Sequence, residues 1–117
     1  MDLSKMIQDV KNHPDSPKMG MIASHLGVVR ESSVKGGKVT EIHVTFDRDA
    51  INNIINETKK MQGIVEVLVD VAGGHLKVGD DIMAVVVGGD IRDHVFPALI
   101  SAVNRIKVEA SEKKEIF

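Results

Sequence analysis

Residues 79–90 read Gly79-Asp80-Asp81-Ile82-Met83-Ala84-Val85-Val86-Val87-Gly88-Gly89-Asp90, and this stretch decides the fold class. The unbroken apolar run from Ile82 to Val87 lacks the polar alternation of a half-exposed strand, so it predicts a strand buried on both faces. Gly79-Asp80 marks a turn before it, and Gly88-Gly89-Asp90 is expected to close it. A long helix follows. Asp90 is its expected N-cap, Asp93 lies in its acidic first turn, and Phe96, Leu99, Ile100, Val103 and Ile106 form its expected core stripe.

Working upstream, Val65, Val67, Val69 and Val71 alternate with Glu66 and Asp70, which predicts a second strand. Before it, Asp47 can cap a helix over 48–61 with Ala50, Ile51, Ile54, Ile55 and Met61 as its buried stripe. Lys59 and Lys60 suit that helix's C-terminal dipole, and Gly63 its exit. Residues 39–46 alternate again, with Ile42, Val44 and Phe46 on one face and Glu41, His43 and Thr45 on the other. GMIASHLGVVR (20–30) reads as a strand in which Gly27 marks a bulge or a close backbone approach. Between these two strands, Ser32 to Lys38 with its Gly36-Gly37 pair reads as a flexible hairpin loop. Leu3, Met6, Ile7 and Val10 predict an opening amphipathic helix capped by Asp2, which the prolines Pro14 and Pro17 end. The order α, β, β, α, β, β, α indicates an α/β sandwich with mixed strand directions. It fits one domain over 1–117, with an N-terminal helix and linker over 1–18 and a charged, mobile tail over 109–117.

Fifteen basic against seventeen acidic side chains give a net charge of −2, so bulk charge does not drive binding to nucleic acid or an anionic membrane. The three aromatics are all phenylalanine, a poor platform for stacking bases. The absence of cysteine excludes disulfides and thiolate metal sites. No apolar run approaches the roughly 20 residues a membrane span needs, and the first residues lack signal-peptide character. A cytoplasmic protein with no membrane contact is the expectation.

No metal site is expected: the five histidines (13, 25, 43, 75 and 94) include no helical i, i+3 or i+4 pair. Val87-Gly88-Gly89-Asp90 has amides that can cradle an anion, but Asp90 and Asp93 would oppose a phosphate there, and a tight turn with a capping Asp is the simpler reading. Basic residues at element boundaries are more informative. Arg30 ends the first strand, Arg92 starts the last helix, Lys107 lies at its end, and Lys113-Lys114 follow in the tail. A guanidinium grips phosphate through two parallel hydrogen bonds, and a lysine of lowered pKa can act as acid, base or nucleophile.

GMIASHLGVVR (20–30) resembles the opening strand of the molybdopterin synthase catalytic (large) subunit family, which runs from a glycine through apolar residues to Gly-x-Val-Arg. Gly37-Lys38-Val39 and the following strand are similar to that family's next hairpin. Residues 74–81 (GHLKVGDD) resemble its Gly-x-Leu-x-x-Gly-Asp/Glu turn, and Phe96-x-Ala98 its Ala-Phe-x-Ala helix start. Lys107 and Lys114 fall where the family has two lysines, and Ile91-Arg92 where it has His-Arg. The likeness covers about residues 20–115.

The resemblance implies a hammerhead-like α+β sandwich, a mixed or antiparallel sheet with packed helices. It implies an enzyme that turns a cyclic pyranopterin phosphate into the dithiolene molybdopterin, with sulfur from the thiocarboxylate of a small ubiquitin-like subunit and no cofactor. Arg30 and Arg92 would bind the substrate's anionic groups, and Lys107 and Lys114 would be catalytic, with Lys113 the counterpart of the second lysine in another alignment. The subunit would pair with itself inside a heterotetramer. The chain departs from the pattern at Val71-Ala72, where the family has His-Arg, at Ile91, where it has His, and at Ser111-Glu112-Lys113-Lys114, where it has Pro-x-Trp-Lys. The alternative is a catalytically inactive relative serving as a dimeric binding or regulatory module.

Overall fold

The structure, a computed structural model, describes residues 1–32 and 36–117. In chain order it holds α1 (Leu3–Lys11), a 3-10 turn (Ser16–Lys18), β1 (Met21–Val28), β2 (Glu41–Phe46), α2 (Arg48–Lys59), β3 (Ile64–Val71), β4 (Gly74–Lys77), β5 (Asp81–Gly89), α3 (Arg92–Glu109) and β6 (Ser111–Ile116). The expected caps of the first two helices form: Asp2 accepts from the Lys5 amide at 3.0 Å and Asp47 from the Ala50 amide at 3.1 Å.

The strands make two three-stranded sheets, ordered β1-β5-β3 and β4-β2-β6. Every described pairing is antiparallel. β5 is the middle strand of the first sheet and is buried from Met83 to Gly89, as its apolar run predicts. On one face α2 and α3 supply Ile51, Ile54, Val95, Ala98, Leu99, Ala102, Val103 and Ile106 to a core shared with Val67, Met83, Val85 and Val87. The other face takes α1. A smaller core of Val29, Val39, Ile42, Val44 and Leu76 lies under the second sheet, and Phe46 and Ile82 pack against both.

Several expectations are corrected. β1 and β2 are not a hairpin, because they belong to different sheets. Among the described residues, the chain between them carries an antiparallel bridge from Ser32 to Lys38, and the centre of the expected loop, residues 33–35, lies outside the described residues. Gly88 and Gly89 do not form a turn. They end β5, where packing is too close for a side chain: a Cβ on Gly88 would meet Met19 Sδ and, at 2.7 Å, Val10 Cγ1. On the opposite face, a Cβ on Gly89 would meet the Gly63 carbonyl at 2.6 Å and Val95 at 2.8 Å. These two glycines let α1 and the start of α3 close on the sheet from either side.

Asp90 is not the cap of α3; Ile91 holds that position with no side-chain bond. Asp90 Oδ1 instead accepts from the Ile91 amide at 2.7 Å and from His94 Nδ1 at 2.8 Å. The His94 hydrogen bond holds the Asp90 carboxyl below the usual carboxylate range. The buried stripe of α3 keeps Leu99, Val103 and Ile106 of the expected one but not Phe96 and Ile100. Val95, Ala98, Leu99, Ala102, Val103 and Ile106 face the core, while Phe96 and Ile100 are 47% and 60% exposed. The small side chains of Ala98 and Ala102 carry little hydrophobic signal but allow close approach to the sheet.

The two strands not foreseen are β4 and β6. The tail, expected to be mobile, runs as β6 along the full length of β2, from Phe46 opposite Ser111 to Glu41 opposite Ile116.

Candidate functional site

A cleft of about 680 Å³ opens between the end of β1, the inner face of the second sheet and the last turn of α3. Ile42, Val44, Phe46, Ile82 and Met83 make its apolar wall, and Arg30, Lys107, Lys113, Glu115, His25 and Ser111 supply its polar groups. Three cations therefore border one apolar cavity. Such an arrangement suits a partly apolar ligand carrying anionic groups.

Each position follows from local structure. Beyond β1 the chain continues through buried Val29 to Arg30, with the Val29 amide bonded to the Asp80 carbonyl at 2.9 Å. Lys107 lies in the last turn of α3. The helix turns directly into β6 at buried Ala110, whose carbonyl accepts from the Asp47 amide at 2.8 Å. The Ser111 hydroxyl donates to the Lys107 carbonyl at 2.9 Å, which holds the corner between helix and strand. That corner brings Lys107 and Lys113 to the same cleft.

The β2–β6 register then separates the two tail lysines. Directly opposed residues in an antiparallel pair project to the same face. Ser111, Lys113 and Glu115 oppose Phe46, Val44 and Ile42, and all six line the cleft. Lys114 opposes His43 and shares the other face. There the His43 and His75 rings meet at a tilt, their centroids 4.5 Å apart, and His75 Nδ1 lies 3.6 Å from Glu41.

Of the residues singled out in the sequence, Arg30, Lys107 and Lys113 thus border the cleft, and Lys114, the other tail candidate, lies on the far face. Arg92 does not join them. It opens the 18-residue helix that Lys107 nearly closes, a separation of roughly 22 Å at about 1.5 Å per residue. The remaining cation near the end of α3, Arg105, is already engaged. It forms two bonds to Glu109, at 2.7 and 3.0 Å, and one to Glu57 of α2 at 3.0 Å. The Glu109 and Glu57 bonds raise the Arg105 pKa, and Arg105 lowers that of Glu109. Among the described residues, no group of three or more His, Asp or Glu is placed to hold a metal ion. No helix there is long and apolar enough to cross a membrane.

Sequence reasoning missed His25. It sits on β1 two residues before Gly27, and its Nε2 is buried without a hydrogen-bond partner. Burial, and then the nearby Lys107 ammonium, lower its pKa from the ordinary histidine value. A single histidine in a strand has no motif to betray it.

Solved structures share this architecture. The molybdopterin biosynthesis MoaE protein of Burkholderia ambifaria superimposes with a TM-score of 0.79 at 24% identity, covering 100% of this chain and 78% of that one. Molybdopterin synthase from Staphylococcus aureus gives 0.72 at 24% identity, covering 86% and 76%. The complex of subunits 1 and 2 of the molybdopterin-converting factor from Helicobacter pylori gives 0.72 at 12% identity, covering 98% and 78%. These likenesses establish the α+β fold. No curated protein sequence matches the chain significantly. The family model described as MoaE protein matches residues 1–109, from α1 through the whole of α3, and the chain therefore belongs to the MoaE family.

Proposed function

We propose that this chain acts in molybdenum cofactor biosynthesis as the large subunit of a cytoplasmic molybdopterin synthase. In this reading it converts a cyclic pyranopterin phosphate to molybdopterin, taking sulfur from the thiocarboxylate tail of a small ubiquitin-like subunit. The observation that carries the reading is the convergence of Arg30, Lys107 and Lys113 on one apolar-walled cleft. Family membership and the Helicobacter pylori complex of two subunits support it.

The roles follow from chemistry. The Arg30 guanidinium binds the substrate phosphate through paired hydrogen bonds. The apolar wall of Ile42, Val44 and Phe46 receives the pterin ring system. Lys107 and Lys113 stabilise the negative charge that develops as sulfur is delivered, and exchange protons with the reacting groups. Lys114 takes no part, because it projects from the opposite face of the sheet. Arg92 reaches a substrate only from a second copy of the chain, so its role as an anion ligand requires the homodimer.

Ile91 and Val71-Ala72, standing where the family has histidines and an arginine, favour the second reading, an inactive dimeric relative. One reconstitution separates the two. The protein is mixed with a thiocarboxylated small subunit and the cyclic pterin phosphate, and dithiolene formation is followed. The synthase reading expects product well above that from the small subunit alone; background product sinks it.

A further inference from the structure

We propose that His25 is a catalytic residue of this cleft, its Nε2 exchanging a proton with the bound substrate. The inference rests on the synthase reading and adds to it a proton carrier where the family's histidines are missing.

The observations are geometric. β1 presents Met21, Ala23, His25 and Gly27 to the side of the sheet on which α3 packs, so His25 interrupts an otherwise apolar face. A histidine packed purely for structure satisfies both ring nitrogens, since a buried polar atom without a partner is rare and costly. His25 Nε2 is buried and has none. His25 is among the residues that line the cleft with Lys107, and we assign the missing partner to a substrate group bound there, reached as the site closes on it.

Gly27 makes the position possible. A Cβ there would press on His25 Nε2 at 3.3 Å and on Ile82 at 3.0 Å, so the glycine leaves room beside the nitrogen. The titratable groups lining the cleft with His25 are Lys107 from α3, Arg30 beyond β1, and Lys113 and Glu115 from β6. On β5 the residue opposite it is Val85, which does not titrate. Burial and Lys107 both favour the neutral ring, which takes a proton at Nε2 in the tautomer that carries its hydrogen on Nδ1. In the step, a bond from hydrogen to a substrate heteroatom breaks, its electron pair stays on that atom, and the proton forms an N–H bond at Nε2. The resulting imidazolium, more acidic than an ordinary one because of burial and the nearby Lys107, returns the proton to the departing group. No oxidant or reductant is consumed.

The test uses the complex reconstituted with the thiocarboxylated small subunit, comparing wild type with His25→Phe and His25→Gln over pH 5–9. Both variants are expected to lose about a hundredfold or more in kcat, the lower end of the range for a general acid–base group. They are also expected to lose the acid limb of the wild-type pH profile. Wild-type turnover that both variants reproduce in rate and profile overturns the role of His25 and leaves the synthase reading standing. A wild-type complex that makes no product overturns that reading, and the role with it. Should the variants fail to fold, the His25 ring resonances of the wild-type complex decide the matter. They must shift as the cyclic pterin phosphate saturates it, and an unmoved signal overturns the proposal.

Discussion

Replacing Lys113 and Lys114 separately by alanine tests the site where it is most specific. Both side chains are exposed on β6, so neither substitution should move stability by more than about 0.5 kcal/mol. Their effects on turnover should differ sharply. Lys113 opposes Val44 on the cleft face, and Lys114 opposes His43 on the far face. Removing one positioned charge-stabilising group costs on the order of 10² to 10³ in kcat, about 2.7–4 kcal/mol. Because Lys113 stands at an open rim, where water screens charge, the low end of that range, about 10²-fold, is expected for Lys113→Ala. Lys114→Ala should stay within about twofold of wild type, the equivalent of less than 0.5 kcal/mol. The assay is dithiolene formation by the reconstituted complex under single-turnover conditions, with thermal midpoints measured in parallel. A loss in Lys114→Ala matched by an unimpaired Lys113→Ala would falsify the assignment, since it would require the opposite register between β2 and β6.

The remaining expectations concern stability and pH. Ile106→Ala, at a fully buried position, should cost about 2–5 kcal/mol, whereas Ile100→Ala, 60% exposed on the same helix, should change little; urea midpoints compare them directly. Equal losses would mean that the stripe of α3 is misphased. Gly88→Ala should cost roughly 1–3 kcal/mol by overpacking, with faster amide exchange concentrated in α1, whose Val10 meets the new methyl at 2.7 Å. The depressed pKa of His25 means that the unfolded chain binds its proton more tightly than the folded one. Its contribution is therefore fully present above the ordinary histidine pKa and declines as pH falls below it, through the lowered folded value. His25→Phe should gain thermal stability relative to wild type between pH 7 and pH 5, and an unchanged difference across that window would contradict the depressed pKa.

Where a signal was local, the sequence carried it. β5 announces itself by six consecutive apolar residues, α2 by Asp47 and its spaced isoleucines, and β2 by strict alternation. β6 has no such signal: Ser111-Glu112-Lys113-Lys114-Glu115-Ile116 is a strand because β2 offers it a hydrogen-bonding edge, a tertiary effect that overrides composition. The face of α3 is legible at Leu99, Val103 and Ile106, but Phe96 and Ile100 outweigh two alanines on any hydrophobic count, although the alanines sit in the core. Gly88-Gly89 looked like a turn because close packing on both faces of a strand leaves no trace in the neighbouring residues. The site divides in the same way. Arg30 and Lys107 stand out as cations at element boundaries and gain roles through resemblance, but the choice between Lys113 and Lys114 depends on a register set by a strand distant in sequence. His25 became visible only once its unpartnered nitrogen had a location.

That distant pairing has a consequence in time. β2 and β6 are separated by α2, β3, β4, β5 and α3, so their ladder closes a long loop and forms against a larger entropic cost than the local contacts of either helix. One wall of the cleft is therefore expected to form late in folding, which amide-exchange labelling of β6 during refolding would test. A ligand held by Arg30 and Lys107 on one side and Lys113 on the other spans that seam. Occupancy and closure of the seam then become a single equilibrium, in which the substrate helps to finish the protein that binds it.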